Sequence, residues 1–301
     1  MGSVWRADRP QKGRFRQFVQ CDIDILGDPT SLAEIELITA TTTALSRICP
    51  DNSFTVRIND RELLKAMASY CGFPEDDCDK VFITLDKMDK IGLEGVEEEL
   101  VKAGYEKEKA EKYLELYREV TPDLAGIRYL KEKLTGFLDP KCAEDLETII
   151  TSVEAVKTAD FKLVFDPTLV RGMSYYTGPI FEISIDGFGG SVGGGGRYDE
   201  MIGRFTGQNT PACGFSVGFE RIVMLLLEKD YQIPSRKEKK AFLIEKGIAG
   251  DALIKVFEEA KAERATGVQV NVVQMKKNRK FQVEQLEKEG YTEIRSFYVE
   301  K

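Results

Sequence analysis

Residues 5–18 read WRADRPQKGRFRQF, and the break inside them, Arg9-Pro10-Gln11-Lys12-Gly13, is a turn signal: proline presets φ and glycine accepts the backbone angles a reversal needs. Val4–Ala7 and Arg14–Ile25 are therefore expected to form the two arms of a hairpin, with Phe18, Cys21, Ile23 and Ile25 as the apolar members of the longer arm. The hairpin carries Arg6, Arg9, Lys12, Arg14 and Arg16, and Arg14 and Arg16 share one face of an extended arm. Guanidinium forks match phosphate oxygens with paired hydrogen bonds and keep their charge at any working pH. On these residues alone, a solvated basic turn and an anion site are both open.

Downstream of the hairpin, Ser31-Leu-Ala-Glu34 reads as a capping box opening a helix to about Ile48. Phe54–Ile58 reads as a short strand, with Asn59 or Asp60 capping the helix that follows. From Arg61 to about Asp160 amphipathic charged segments dominate, such as RELLKAMASY and KEKAEKYLELYREV, so a helical insertion is expected there. Strand texture returns in FKLVFDP, PIFEISID and GGSVGGGG, and PACGFSVGFERIVMLLLE reads as a strand running into an apolar helix. Beyond the charged stretch Arg236–Lys240, AFLIEKG, a helix over 251–266, VQVNVVQM, a helix over 278–289 and TEIRSFYVE form a β-α-β-α-β series.

The chain's 301 residues are enough for two or three domains, and 42% hydrophobic with 31% charged residues is ordinary for a globular protein. No apolar run approaches the ~20 residues of a membrane span, and the polar start MGSVWRADRPQKGR is unlike a secretory leader. Six scattered cysteines without a CxxC pair suit free thiols in a reducing cytosol and offer no zinc site. The net charge of −8 excludes a generically basic nucleic-acid coat but not a local phosphate-binding patch. The chain contains no histidine, which excludes Ser/His triads, imidazole bases and His-ligated metals; chemistry here must run on Arg, Lys, Asp, Glu, Tyr and backbone groups.

Three further stretches could carry chemistry. Ser191-Val-Gly-Gly-Gly-Gly196 would let a ligand rest on bare backbone, or would simply be a flexible hairpin. It is no Walker loop, since no Gly-Lys-Ser/Thr follows, and RYDEMIGRF is too polar to open the packed helix of a dinucleotide fingerprint. Leu169-Val-Arg-Gly-Met-Ser-Tyr-Tyr-Thr-Gly178 sets Arg171 among apolar residues beside Tyr175 and Tyr176, a semi-buried cation with phenols or ordinary core aromatics. Gly214-Phe-Ser-Val-Gly-Phe-Glu-Arg221 puts Arg221 at a helix start, where the dipole disfavours a cation and an anionic partner or a surface salt bridge would account for it.

Taken together and in order, these stretches resemble one family. WRADRPQKGRFRQF resembles motif 2 of the histidyl-tRNA synthetases, LVRGMSYYTG and GGGGRYD resemble two signatures particular to that family, and GFSVGFER resembles motif 3. The resemblance implies an α+β fold: a class II aminoacyl-tRNA synthetase sheet, six-stranded and antiparallel, with flanking helices. It further implies a catalytic core over 1–60 and 161–235, a helical insertion over 61–160, and a small, shortened α/β domain over 239–301 like the family's anticodon-binding domain. The implied activity is ATP-dependent activation of histidine and its transfer to tRNA(His). Arg6, Asp8, Arg14 and Arg221 would then hold ATP, with Mg²⁺ expected on the nucleotide and no metal held by protein alone. Arg171 would contact the α-phosphate and the histidine carboxylate, making Arg171, Arg6 and Arg221 the catalytic set. Gln20 would bind the amino group, Asp24 and Tyr176 would read the imidazole with Tyr175 beside them, and Gly194 and Gly195 would floor the pocket.

The resemblance also implies a cytoplasmic protein, with no membrane partner and a homodimer when an N-terminal region is present. The chain begins at motif 2, so a motif 1 counterpart is expected upstream, and the C-terminal series stops at its third strand. Asp8 stands where the family usually has Glu, and Met173-Ser174 where Leu-Asp is common. Two other roles suit the same fold: a non-catalytic histidine sensor such as the regulatory subunit of ATP phosphoribosyltransferase, and a tRNA-binding synthetase-like module. The sensor has no need of the ATP arginines that this chain carries, and the tRNA-binding module would bind uncharged tRNA without forming an adenylate.

Overall fold

The computed structural model describes residues 1–7, 9–10, 15–171, 175–188, 190–231 and 238–299. It divides into two compact units, Met1–Lys229 and Asp230–Lys301.

The first unit is built on a sheet of seven strands among the described residues: β1 (Gly2–Trp5), β2 (Gln17–Leu26), β3 (Phe54–Asp60), β4 (Phe161–Phe165), β5 (Pro179–Ile185), β6 (Ser191–Arg197) and β7 (Ala212–Gly218), in the order β1-β2-β7-β6-β5-β3-β4. The expected hairpin is present, with Trp5 opposite Gln17 and Gly2 opposite Gln20. The six-stranded antiparallel sheet is corrected in one respect. A seventh strand, β4, lies parallel to β3, Phe54 opposite Phe161 and Ile58 opposite Phe165. Parallel neighbours need a long crossover, and here the crossover is the whole helical stretch: α2 (Arg61–Tyr70), α3 (Cys78–Leu85), α4 (Met88–Lys102), α5 (Lys107–Glu119), α6 (Leu124–Lys133) and α7 (Pro140–Val156).

Alternation divides the sheet into an apolar and an open face. On β5, Phe181, Ile183 and Ile185 are buried while Glu182 and Ser184 stand partly open on the other side. The buried side packs into one continuous core shared with α1 (Leu32–Ile48) and the crossover helices, through Leu37, Ile38, Leu45, Leu63, Leu146, Ile149 and Val153. Each such aliphatic side chain stabilises by about 1.5–3 kcal/mol relative to exposure. Asp60 caps α2 as expected, its carboxylate accepting from the Glu62 N–H at 2.7 Å. The capping box at Ser31–Glu34 does not form: the Ser31 side chain makes no cap bond. Glu34 is instead fully buried in a bidentate pair with Arg197, at 2.7 and 2.9 Å. Two strong charge-assisted bonds to a buried guanidinium outcompete one to a backbone N–H.

RYDEMIGRF does form a helix, α8 (Asp199–Thr206), but none of its residues is buried. β7 runs straight into α9 (Phe219–Glu228).

The second unit is a three-stranded parallel sheet of β8 (Lys239–Ile244), β9 (Gln269–Gln274) and β10 (Glu293–Phe297), in the order β10-β8-β9. Its helices cover opposite faces: α10 (Gly250–Ala265) packs Val256 and Ala260 on Phe242 and Val270, and α11 (Arg279–Lys288) packs Leu286 on Ala241 and Leu243.

Candidate active site

Register lays out the open face of the large sheet. One row runs Arg57–Glu182–Gly194–Ser216–Asp22 across β3, β5, β6, β7 and β2, and the next runs Ile180–Gly196–Gly214–Asp24. The glycines in these rows leave shelves on which functional side chains lie. A Cβ on Gly194 would come within 2.5 Å of the Arg171 Cζ; one on Gly196 would meet Tyr176 at 3.1 Å; one on Gly214 would meet the Tyr198 ring at 3.1 Å and collide with the Asp24 carboxylate. Gly is needed here because the guanidinium and phenol rest on the backbone itself.

Over this floor opens a cleft of about 510 Å³, lined by Arg6, Gln20, Asp86, Arg171, Tyr175, Tyr176, Glu182, Ser191, Gly194, Ser216, Glu220 and Arg221 among others. Arg171 donates from Nε to Glu182 at 2.5 Å and from one terminal nitrogen to the Ser191 hydroxyl at 2.8 Å. Glu182 also pairs with Arg57, which reaches Asp166 at 3.1 Å. Burial works to raise the Glu182 carboxyl, but the charges of Arg171 and Arg57 outweigh it and hold the group below the usual carboxylate range. Asp86, across the same cleft, is raised by burial and by the negative charge of Glu182. Arg221 comes from the first turn of α9 and donates to the backbone and hydroxyl oxygens of Ser191. The hydroxyl therefore ties two guanidinium groups to one strand end. Arg6 lies 4.2 Å over the Phe18 ring and donates from Nε to the Phe15 carbonyl at 2.9 Å, fixing it across the hairpin.

Gln20 donates from its amide nitrogen to the Ser216 hydroxyl at 2.6 Å, leaving the amide oxygen as the acceptor for a ligand. The neighbouring Val19 N–H donates to Glu220 at 2.6 Å, locking β2 to the start of α9. Tyr175 and Tyr176 pack with ring centroids 4.2 Å apart, and burial pushes the Tyr176 phenol far up, so it stays a neutral donor. The Tyr198 hydroxyl donates to Asp24, and its own ionisation is pushed up by burial and by that carboxylate.

The expected residues sort by position. Arg6, Gln20, Arg171, Tyr175, Tyr176, Gly194 and Arg221 meet in the cleft. Asp24 is not in its wall but stands on the same open face, in the row that carries Gly196 and Gly214. Gly195 is not in the wall either: alternation turns it to the opposite face, where a Cβ would run into the β7 backbone, 2.8 Å from the Phe215 Cα. Asp8 and Arg14, like Lys12, Met173 and Ser174, lie outside the described residues. Sequence reading missed Glu182, Ser191, Ser216, Arg57 and Glu220. A lone carboxylate at the solvent-side phase of PIFEISI was a signal for Glu182, but its partners depend on which strands are neighbours.

Known proteins resemble this chain in sequence and in fold. The family described as Histidyl-tRNA synthetase matches residues 1–222. The histidine--tRNA ligase of Leifsonia xyli subsp. xyli is 48% identical over 236 residues, covering 74% of this chain and 52% of the relative. The chain thus spans about half the length of the curated relatives it matches. The crystal structure of histidyl-tRNA synthetase from Nostoc sp. PCC 7120 superposes with a TM-score of 0.75 at 25% identity, over 96% of this chain and 67% of that one. An ATP phosphoribosyltransferase regulatory subunit/histidyl-tRNA synthetase from Bacillus halodurans shares the fold, with a TM-score of 0.74 at 21% identity over 100% of this chain and 73% of that one. By sequence match, relatives and the class II sheet with its arginine-bearing open face, the chain belongs to the histidyl-tRNA synthetase family.

Proposed function

We propose that this chain carries the adenylate-forming site of a histidine–tRNA ligase. The observation that supports it most is the Arg171 guanidinium lying on Gly194, tethered by Glu182 and Ser191, in one cleft with Arg6, Arg221 and Gln20. Three cations around a polar floor suit a triphosphate and a carboxylate. Tyr176 against Gly196 and Asp24 against Gly214, the paired glycines of one row, suit an imidazole with two nitrogens to read. A pocket that hydrogen-bonds both nitrogens discriminates far more strongly than an apolar one.

In this reading Arg6 and Arg221 hold the ATP phosphates, with Asp8 and Arg14 on the same nucleotide and Mg²⁺ arriving on the triphosphate. The Gln20 amide oxygen takes the substrate ammonium. The histidine carboxylate attacks the α-phosphorus; the new O–P bond forms as the bond to the β-phosphate oxygen breaks, and pyrophosphate leaves. Arg171 bridges carboxylate and α-phosphate and stabilises the charge that builds on the pentacoordinate phosphorus, so positioning and electrostatics supply the catalysis without a proton-transfer base. In the second step the terminal ribose hydroxyl of tRNA attacks the adenylate carbonyl; the new ester C–O bond forms as the carbonyl–phosphate oxygen bond breaks, AMP leaves and the hydroxyl proton passes to the departing phosphate or solvent. The helices over 61–160 act as an insertion steadying the acceptor stem, and residues 239–301 read the anticodon. A cytoplasmic homodimer is the setting this activity calls for.

Histidine-dependent ATP–pyrophosphate exchange, run against other amino acids, tests the reading. Exchange specific to histidine and reduced ~10²–10³-fold in Arg171→Ala is expected. Absence of exchange, with histidine binding still measured by calorimetry, would overturn it in favour of a histidine-binding module.

A further inference from the structure

The cleft contains a carboxylate that the adenylation chemistry does not use. Glu182 lines the cleft but is mostly covered, its side chain 12% exposed, and each of its carboxylate oxygens is engaged by an arginine, one by Arg171 and the other by Arg57. Its place in the register explains why: it sits directly between Arg57 on one side and Gly194 on the other. Arg57 is itself committed to Asp166 as well as to Glu182, and although burial opposes its charge, the two carboxylates keep it charged. Glu182 is thus anchored from behind.

Toward the cleft, it takes the Nε–H of Arg171, while Ser191 takes one terminal nitrogen and Gly194 supports the flat face. The remaining terminal nitrogen has no partner among the described residues. A guanidinium held at two nitrogens and one face has its third nitrogen aimed by default. We propose that Glu182 is a positioning residue that, through the Asp166–Arg57–Glu182 chain, sets the direction in which Arg171 presents its other terminal nitrogen to an anionic ligand. This inference rests on the proposed function for its activity readout, but the restraint on Arg171 has a readout of its own.

A carboxylate in this place also limits the net positive charge of the cleft. Without it, Arg171 and Arg57 would stand as neighbouring cations with no anion between them, and Arg171 would be free to swing along its long side chain. Misplacing a reacting or stabilising group by about 1 Å costs on the order of 10²-fold in rate.

The test compares Glu182→Gln with wild type, each alone and combined with Arg171→Ala. Pyrophosphate exchange gives kcat and the KM for histidine and for ATP. Arginine Nε–H resonances of ¹⁵N-arginine-labelled protein report the restraint directly, with the Arg171 signal assigned by its loss in Arg171→Ala. The expected result is a ~10²-fold loss of kcat in Glu182→Gln with KM values within ~3-fold, and almost no further loss when Glu182→Gln is added to Arg171→Ala. The Arg171 Nε–H is expected to be protected from solvent exchange in wild type and unprotected in Glu182→Gln.

Full activity in Glu182→Gln, or a loss that multiplies with that of Arg171→Ala, would overturn the proposal, because Glu182 would then not act through Arg171. If wild type shows no exchange, the functional reading fails and the resonance alone decides: unchanged protection in Glu182→Gln overturns the restraint. Should Glu182→Gln not fold, Ser191→Ala removes the second tether while leaving both ion pairs of Glu182 in place. It is expected to cost kcat more than KM and to do so only when Arg171 is present; equal loss in both backgrounds overturns the proposal.

Discussion

Two adjacent glycines, Gly194 and Gly195, face opposite sides of one strand and should answer the same substitution in opposite ways. At Gly194 the atoms in the way of a methyl group are the guanidinium end of Arg171, a flexible side chain that can move. At Gly195 they are backbone atoms of Gly214 and Phe215 on the neighbouring strand, which cannot move without parting β6 from β7. Gly194→Ala is therefore expected to fold with its melting temperature nearly unchanged and to lose exchange activity on the order of 10²-fold, because Arg171 is pushed off its shelf. Gly195→Ala is expected to lose about 1–3 kcal/mol in denaturant unfolding, the usual cost of overpacking. A Gly194→Ala protein with normal activity would show that the guanidinium does not need its place on the strand. The sequence showed a run of glycines; only the register showed that Gly194 and Gly196 share the open face of the sheet and that Gly195 turns to the other side.

At the scale of elements, the cap of α2 carries a cost that depends on pH. Asp60 accepts the Glu62 N–H, but its burial pushes the carboxyl from 3.8 up to about 7. A raised acid holds its proton more tightly when folded, so its stabilising share is full below pH ~4 and is lost as pH rises through about 7. Asparagine caps as well as aspartate and has no proton to lose. Asp60→Asn should thus match wild type near pH 4 and gain roughly 2–4 kcal/mol over it at pH 8, the linkage of a three-unit shift. Equal unfolding curves for the two proteins at both pH values would place the Asp60 carboxyl near its ordinary value. The helix and its cap were legible from sequence, as were the hairpin and the β-α-β-α-β series, since each rests on local periodicity and turn chemistry. The parallel β3–β4 pair was not, because its partners are separated by six helices and no local pattern records that they meet. Glu34 was misread for the same reason: its place at the start of a helix suggested a cap, while the competing partner, Arg197, lies 163 residues away.

Across the whole molecule, the net charge of −8 would repel a polyanion unless cations were concentrated locally. In the second unit, Lys276, Lys277, Arg279 and Lys280 are exposed where β9 gives way to α11. Arg279 is occupied by the Tyr298 hydroxyl at 2.7 Å and the Ser296 hydroxyl at 2.8 Å, whereas the three lysines make no side-chain ion pair among the described residues. Clustered ammonium groups of this kind bind phosphates as point charges, releasing counterions and so making affinity salt-dependent. If the second unit binds tRNA as proposed, replacing Lys276, Lys277 and Lys280 by alanine should flatten the dependence of log K on log salt. The change should be ~0.7–0.9 for each phosphate no longer neutralised, about two in all. Histidine-dependent exchange should stay at its wild-type level, since none of the three lines the cleft of the first unit. Filter binding or anisotropy with tRNA between 50 and 200 mM salt, a range over which such ion pairing changes affinity by orders of magnitude, would measure the slope. An unchanged slope with intact exchange would move the tRNA footprint away from this run and onto another surface, leaving the adenylation reading standing; a flattened slope would place part of the RNA footprint on a unit whose sequence signal was a few lysines between a strand and a helix.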